Sequence, residues 1–190
     1  MLSRIIQSDN RPRRHYLGIV PTRPNTLLSL KGKTVRLEEI DGDLKNISFE
    51  FFYWFSRFEF ALKENNYLKD KTVDAKAEPN WEEFKDRFKN EYTASAEANR
   101  LIDLHPKRQF VAQAGEPEWK PVGIDHCNND LCKVVTMLNT IRNNLFHGGK
   151  HGDIDVDSKE RNIELLAIGI VILNQLAKLS GIENDYMRHY

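Results

Sequence analysis

The segment DLKNISFEFFYWFSRFEFALKENNYL, residues 43 to 68, constrains the fold more than any other part of the chain. Leu44, Ile47, Phe51, Trp54, Phe55, Phe58 and Leu62 recur at helical spacing and fall on one apolar stripe. Phe49, Phe52, Tyr53 and Phe60 widen that stripe well beyond one face. Water penalises such a surface, so a helix apolar most of the way round must be covered by neighbours. The pattern predicts a central helix, or one buried on a second side by a partner.

Three further segments carry the same period. NWEEFKDRFKNEYTASAEANRLIDL, residues 80 to 104, reads as a second helix with Asn80 as its N-cap. LCKVVTMLNTIRNNLF, residues 131 to 146, follows an NND cap and stops at Gly148 and Gly149. DSKERNIELLAIGIVILNQLAKLSG, residues 157 to 181, begins with Asp157 and Glu160 at capping-box spacing and ends at Gly181. Between the second and third segments, residues 105 to 126 hold Pro106, Pro117 and Pro121 and read as a loop. A structureless loop of that length is uncommon and points to function. Residues 1 to 40 differ from the rest, with Pro12, Pro21, Pro24 and a basic run at Arg11, Arg13 and Arg14. The expected fold is all-α: a four-to-five-helix up-and-down bundle over residues 41–190, with an irregular extension over residues 1–40.

Charge narrows the choice of partners. The formal net charge is zero, so no overall field draws nucleic acid or membrane, and polyanion binding requires a local patch. The longest uninterrupted apolar run is short for a bilayer span, and the N-terminus lacks a secretory-type apolar core. The two cysteines, Cys127 and Cys132, do not make a disulfide framework, and a reducing, cytoplasmic setting is expected.

One residue breaks the third helix's pattern. Leu131, Val134, Val135, Leu138, Ile141 and Leu145 form its apolar stripe, and Arg142 sits four residues after Leu138 on the same side. A guanidinium does not lose its charge, so it needs either an internal carboxylate or an opening where an anion binds. Asn143 and His147 share a flanking face four residues apart. Arginine grips phosphate in fork geometry, and histidine moves protons near neutrality. Asn143 can orient the imidazole or touch the phosphate. On an ideal helix His147 lies about 140° from Arg142, so the pair meets only at a helix end or across a two-fold axis.

RNNLFH, in which four residues separate Arg142 from His147, resembles the arginine–histidine signature of HEPN domains (higher eukaryotes and prokaryotes nucleotide-binding). The polar residue directly after the arginine, here Asn143, is also typical of them. The resemblance spans roughly residues 41 to 180. It implies a homodimeric helical bundle acting as a metal-independent endoribonuclease, without a cofactor. Carried over, Arg142 holds the scissile phosphate, His147 is general acid or base, and the RNA's 2′-hydroxyl attacks. Many relatives belong to toxin–antitoxin or antiviral defence systems, so an antitoxin or regulatory partner protein is also implied, but no membrane. In the subset paired with nucleotidyltransferase antitoxins, a tyrosine stands two positions after the histidine; here Gly149 does, so modification at that place is not implied. Other relatives bind without cutting, which leaves a catalytically silent dimerisation or nucleotide/RNA-binding module as the alternative.

Other residues have two readings each. Glu59 pairs with Arg142 or sits in its cleft, or else makes a surface pair with Lys63 four residues on. Lys150 and His151 touch phosphate or are ordinary loop charge. RPRRH near the N-terminus is an RNA-binding arm or a solvated tail. Asp153, Asp155, Asp157 and Glu164 imitate a calcium loop, but Ser158 stands where its sharp turn needs glycine, so a loop with an N-cap is preferred. His126, Cys127 and Cys132 fit no common zinc spacing, and Cys132 is expected to pack on a helix face.

Overall fold

The computed structural model describes residues 42–147 and 158–188. The expected extension over residues 1–40 lies outside them. Helix makes up 62% of the described residues, with one small two-stranded sheet, so the chain is mostly helical, as the periodicity predicts.

Helix α1 (Gly42–Glu64) is the apolar segment read first. Phe51, Phe55, Phe58, Ala61 and Leu62 recur every three or four residues on its buried face. Each aromatic or leucine side chain so buried contributes about 1.5–3 kcal/mol relative to exposure. Arg57 is buried beside them at 3% exposure, and periodicity alone does not forecast that.

The second predicted helix is two helices. Helix α2 (Trp81–Phe88) begins at Asn80, whose Oδ1 accepts the Glu83 amide at 3.1 Å, so this cap is where the sequence places it. Helix α3 (Ala96–Leu104) begins at Ser95, whose Oγ accepts the Ala98 amide at 3.1 Å. The polar stretch between them permits the break, and Ser95 competes with helix continuation by capping a new one.

The predicted loop contains a hairpin. Strand β1 (Lys107–Val111) pairs antiparallel with β2 (Pro117–Pro121), with Gln109 opposite Trp119. Both prolines terminate their strand, where the missing N–H costs least.

Helix α4 (Asp130–His147) buries Leu131, Val134, Val135, Leu138 and Ile141, as the stripe predicts. Leu145 is 36% exposed, so the stripe ends a turn earlier than expected. Helix α5 (Lys159–Ser180) starts at Ser158, not Asp157: the Ser158 Oγ accepts the Arg161 amide at 3.2 Å. It ends at Gly181, whose φ of 70° is the left-handed conformation that glycine adopts freely. By length and composition α5 is apolar enough to span a bilayer, with mean hydropathy 1.6. Its Leu165, Leu166, Ile172, Leu173 and Leu176 are buried in the protein core. Helix α6 (Glu183–Met187) closes the chain against α1 and α5.

α1 and α5 form the most extensive helix pair. Gly169 permits their approach: a Cβ built there would stand 2.6 Å from Phe51 Cε2. α4 packs against both, and α3 lies against α4 and α5.

Candidate functional site

The candidate site is the C-terminal end of α4. Helical periodicity carries Arg142 one turn beyond Leu138, to where the buried stripe runs out. The side chain is half-buried there. Its Nη1 donates to Asn143 Oδ1 at 3.0 Å. Its guanidinium carbon lies 4.8 Å from the Phe146 ring centroid and 5.9 Å from that of Phe55. Among the described residues no carboxylate pairs with it. Among the described residues, then, the internal ion pair, one of the two solutions for a cation on this stripe, is not seen. The charge rests on aromatic faces and one amide oxygen, which leaves guanidinium donors for an anion.

Aromatic side chains border the guanidinium. Phe146 and Phe52 meet edge to face at 5.0 Å and bridge α4 to α1. Phe146 is 50% exposed and Phe52 40%, while Phe49, farther along α1, is 68% exposed. The aromatic excess read from α1 is therefore partly on the surface. Tyr53 and Phe60, from the same excess, are half-buried. The spacing of Phe146, four residues after Arg142, foretells their contact. That of Phe52 needed the packing of α1 on α4.

Asn144 is structural. Its Nδ2 donates to the Lys107 carbonyl at 2.7 Å and ties α4 to the first residue of β1. Asn143 accepts from Arg142 instead, a contact that is neither of the two roles expected of it. His147 is the last residue of α4; its side chain, like all of Lys150 and His151, lies outside the described residues.

Glu59 does not belong to this site as an ion-pair partner. Its Oε1 accepts the Trp81 indole N–H at 3.2 Å. The reason is the Trp81 ring, which stacks on Phe58 at 5.1 Å and lies 5.6 Å from Phe55. A part-buried indole N–H requires an acceptor, and Glu59 supplies it in place of either Arg142 or Lys63.

The imitation calcium loop dissolves on its described side. Glu164 lies within α5 and pairs with Arg100 at 2.7 Å, while Asp153, Asp155 and Asp157 lie outside the described residues. Tyr186, which fills no motif position, is a core residue at 1% exposure.

Two expectations about the cysteines divide. Cys132 packs on α4 at 8% exposure, as expected. But Cys127 and Cys132 are joined as a disulfide with Cα atoms 5.3 Å apart, a pairing that the cysteine count did not forecast. Cys127 lies ahead of α4 and Cys132 in its first turn, a sequence separation of 5. His126 lies beside them, and the three ligand atoms fall within 4.8 Å of one another.

No protein-family model matches the chain, and neither a curated protein nor a solved structure matches it.

Proposed function

We propose that the chain is a HEPN-like, metal-independent endoribonuclease whose site is built on Arg142, Asn143 and His147, and that it works as a homodimer of helical bundles of that type, with six helices among the described residues in place of the expected four to five. The observation that carries this reading is Arg142 itself: a half-buried guanidinium near the end of α4, held by Asn143 and the Phe146 ring, with no carboxylate partner among the described residues. Such a group is already oriented and only partly neutralised, which suits a phosphodiester.

In the proposed reaction the substrate's 2′-oxygen attacks the adjacent phosphorus and loses its proton to a base. The P–O5′ bond breaks, and the departing oxygen takes a proton. Products are a 2′,3′-cyclic phosphate and a 5′-hydroxyl. Arg142 stabilises the charge that develops on the phosphoryl oxygens, and His147 moves a proton. The second protomer supplies the complementary group, since the two side chains diverge by about 140° on one ideal helix. The exposed Phe49, Phe52, Leu145 and Phe146 supply an apolar surface for that association. A cytoplasmic setting and a regulatory partner of antitoxin type belong to the same proposal.

The test is cleavage of structured and unstructured RNA by purified protein in excess chelator. Expected are cyclic phosphate ends, loss of cleavage in Arg142→Ala and in His147→Ala, and no cleavage of a substrate with a 2′-deoxy scissile nucleotide. Chelator-resistant cleavage that survives both substitutions overturns the site. RNA binding without cleavage favours the silent binding module.

A further inference from the structure

The beginning of α4 carries a second constellation, at the opposite end from Arg142. Asn129 caps the helix there by accepting the Cys132 amide on its Oδ1 at 2.9 Å. Cys132 is therefore in the first turn, where the unpaired amides favour negative charge. Lys85, reaching over from α2, places Nζ 4.0 Å from Cys132 Sγ, and its own side chain is only 12% exposed. Cys127, ahead of the helix, is half-buried as a residue. It lies 3.5 Å from His126 Nε2 and 3.7 Å from Thr136 Oγ1.

The two sulfurs thus sit in different electrostatic settings. A lysine and a helix start both stabilise anionic sulfur at Cys132. Glu82, paired with Lys85 at 2.8 Å, tempers that effect without removing it, because its own side chain is 81% exposed and solvated. We infer that Cys127 and Cys132 form a reversible thiol–disulfide site in which Cys132 is the sulfur that exchanges with the external disulfide and Cys127 the resolving sulfur.

The chemistry balances with a small-molecule disulfide as oxidant. In the reduced chain the Cys132 thiolate attacks one sulfur of glutathione disulfide, forms a mixed disulfide and expels one glutathione thiolate. Cys127, deprotonated, then attacks Cys132 Sγ, closes the protein disulfide and expels the second glutathione thiolate. In reverse, a glutathione thiolate attacks Cys132 Sγ and the electron pair departs on Cys127; a second glutathione thiolate then attacks the glutathione sulfur of the mixed disulfide and releases Cys132 as the better-stabilised thiolate, with glutathione disulfide as the other product. Closure ties residue 127, ahead of the helix, to its first turn.

The experiment uses the full chain, reduced and then mixed with glutathione disulfide at pH 7, with acid-quenched aliquots mapped by mass spectrometry. The transient glutathione adduct is expected on Cys132, followed by closure to the intramolecular disulfide. Cys127→Ser should take up glutathione at Cys132 at least about threefold faster than Cys132→Ser takes it up at Cys127. Lys85→Met should slow the Cys132 reaction roughly twofold or more, since exchange rates follow thiolate fraction. The wild-type mapping decides the order even where a serine variant fails to fold. An adduct that maps first to Cys127, or a Lys85→Met rate equal to wild type, overturns the inference. So does stoichiometric zinc uptake by the reduced chain that blocks closure, because the cluster with His126 would then be a metal site instead.

Discussion

Arg57 and Tyr186 stand 129 residues apart in the chain and share a buried hydrogen bond: Arg57 Nε donates to the Tyr186 carbonyl at 3.2 Å. A second guanidinium nitrogen donates to the Asp185 carbonyl. The Phe60 ring lies 4.6 Å from the guanidinium carbon. Helix α6 has only five residues and cannot hold itself together, so these bonds fasten it to α1. Arg57→Met should leave buried carbonyls without a donor and cost about 2–4 kcal/mol. Urea unfolding checks the magnitude, and faster proteolysis of the C-terminal segment checks the location.

Tyr186 brings a liability with it. Its ring lies 5.1 Å from Trp54 and 6.0 Å from Phe58, yet its hydroxyl is buried with no hydrogen-bond partner among the described residues. Tyr186→Phe keeps the ring and removes the unsatisfied group. It should be neutral or stabilising by up to about 1 kcal/mol, unlike most core substitutions. Thermal unfolding of the variant decides it; a loss above about 1 kcal/mol would show that the hydroxyl is satisfied after all.

The same burial sets alkaline stability. Desolvation pushes the Tyr186 hydroxyl well above its ordinary 10.0 and, with the charge of Asp130 adding to burial, pushes Tyr92 up to about 12. A phenol that keeps its proton longer when folded makes the native state the one that binds more protons. Stability from both groups is therefore complete below pH 10 and falls as pH climbs from there towards 12. Denaturant midpoints measured from pH 8 upwards should be flat at first and then decline, and Tyr186→Phe should soften the decline.

Gly169→Ala should destabilise the α1–α5 contact. The added methyl would stand 2.6 Å from Phe51 Cε2 and 3.1 Å from Cδ2, and the Phe51 ring is fully buried. Overpacking of this kind costs about 1–3 kcal/mol, against a gain of roughly 1 kcal/mol from better helix propensity. A net loss of up to about 2 kcal/mol in chemical denaturation is expected. A gain would show that Phe51 can move aside.

Reduction of Cys127–Cys132 should lower thermal stability modestly. The loop closed is short, with a sequence separation of 5, so its constraint on the unfolded chain amounts to about 2 kcal/mol. In a domain of this size that is roughly 4–8 °C in Tm, read by calorimetry with and without reductant.

At the proposed RNA site, Arg142→Lys retains the charge but loses the planar fork that rests on Phe146 and Asn143. RNA cleavage should fall about 10²-fold or more in single-turnover assays, with the melting temperature nearly unchanged. Cleavage at the wild-type rate would mean that charge alone is used there.

The helices were legible because their signal is local. Phe51, Phe55, Phe58 and Leu62 announce α1, Asn80 announces the start of α2, and Gly181 the end of α5. The hairpin was not legible, because β1 and β2 are short, carry no regular alternation and gain stability only by pairing with each other. The break at Ser95 was missed because one residue serves equally as an interior position or as a cap until tertiary contacts choose.

The sequence alone determined where apolar surface must be hidden, and so the mostly helical character, the three long helices and the odd position of Arg142 on α4. Only the tertiary structure decided which buried cation is fastened and which is left open. Arg57 is held by carbonyls brought from the far end of the chain, whereas Arg142 meets only Asn143 and aromatic rings among the described residues. Spacing along one helix records which side a residue faces. It carries no record of what the other helices bring to that side, and for a charged group that is what sets the cost of burial.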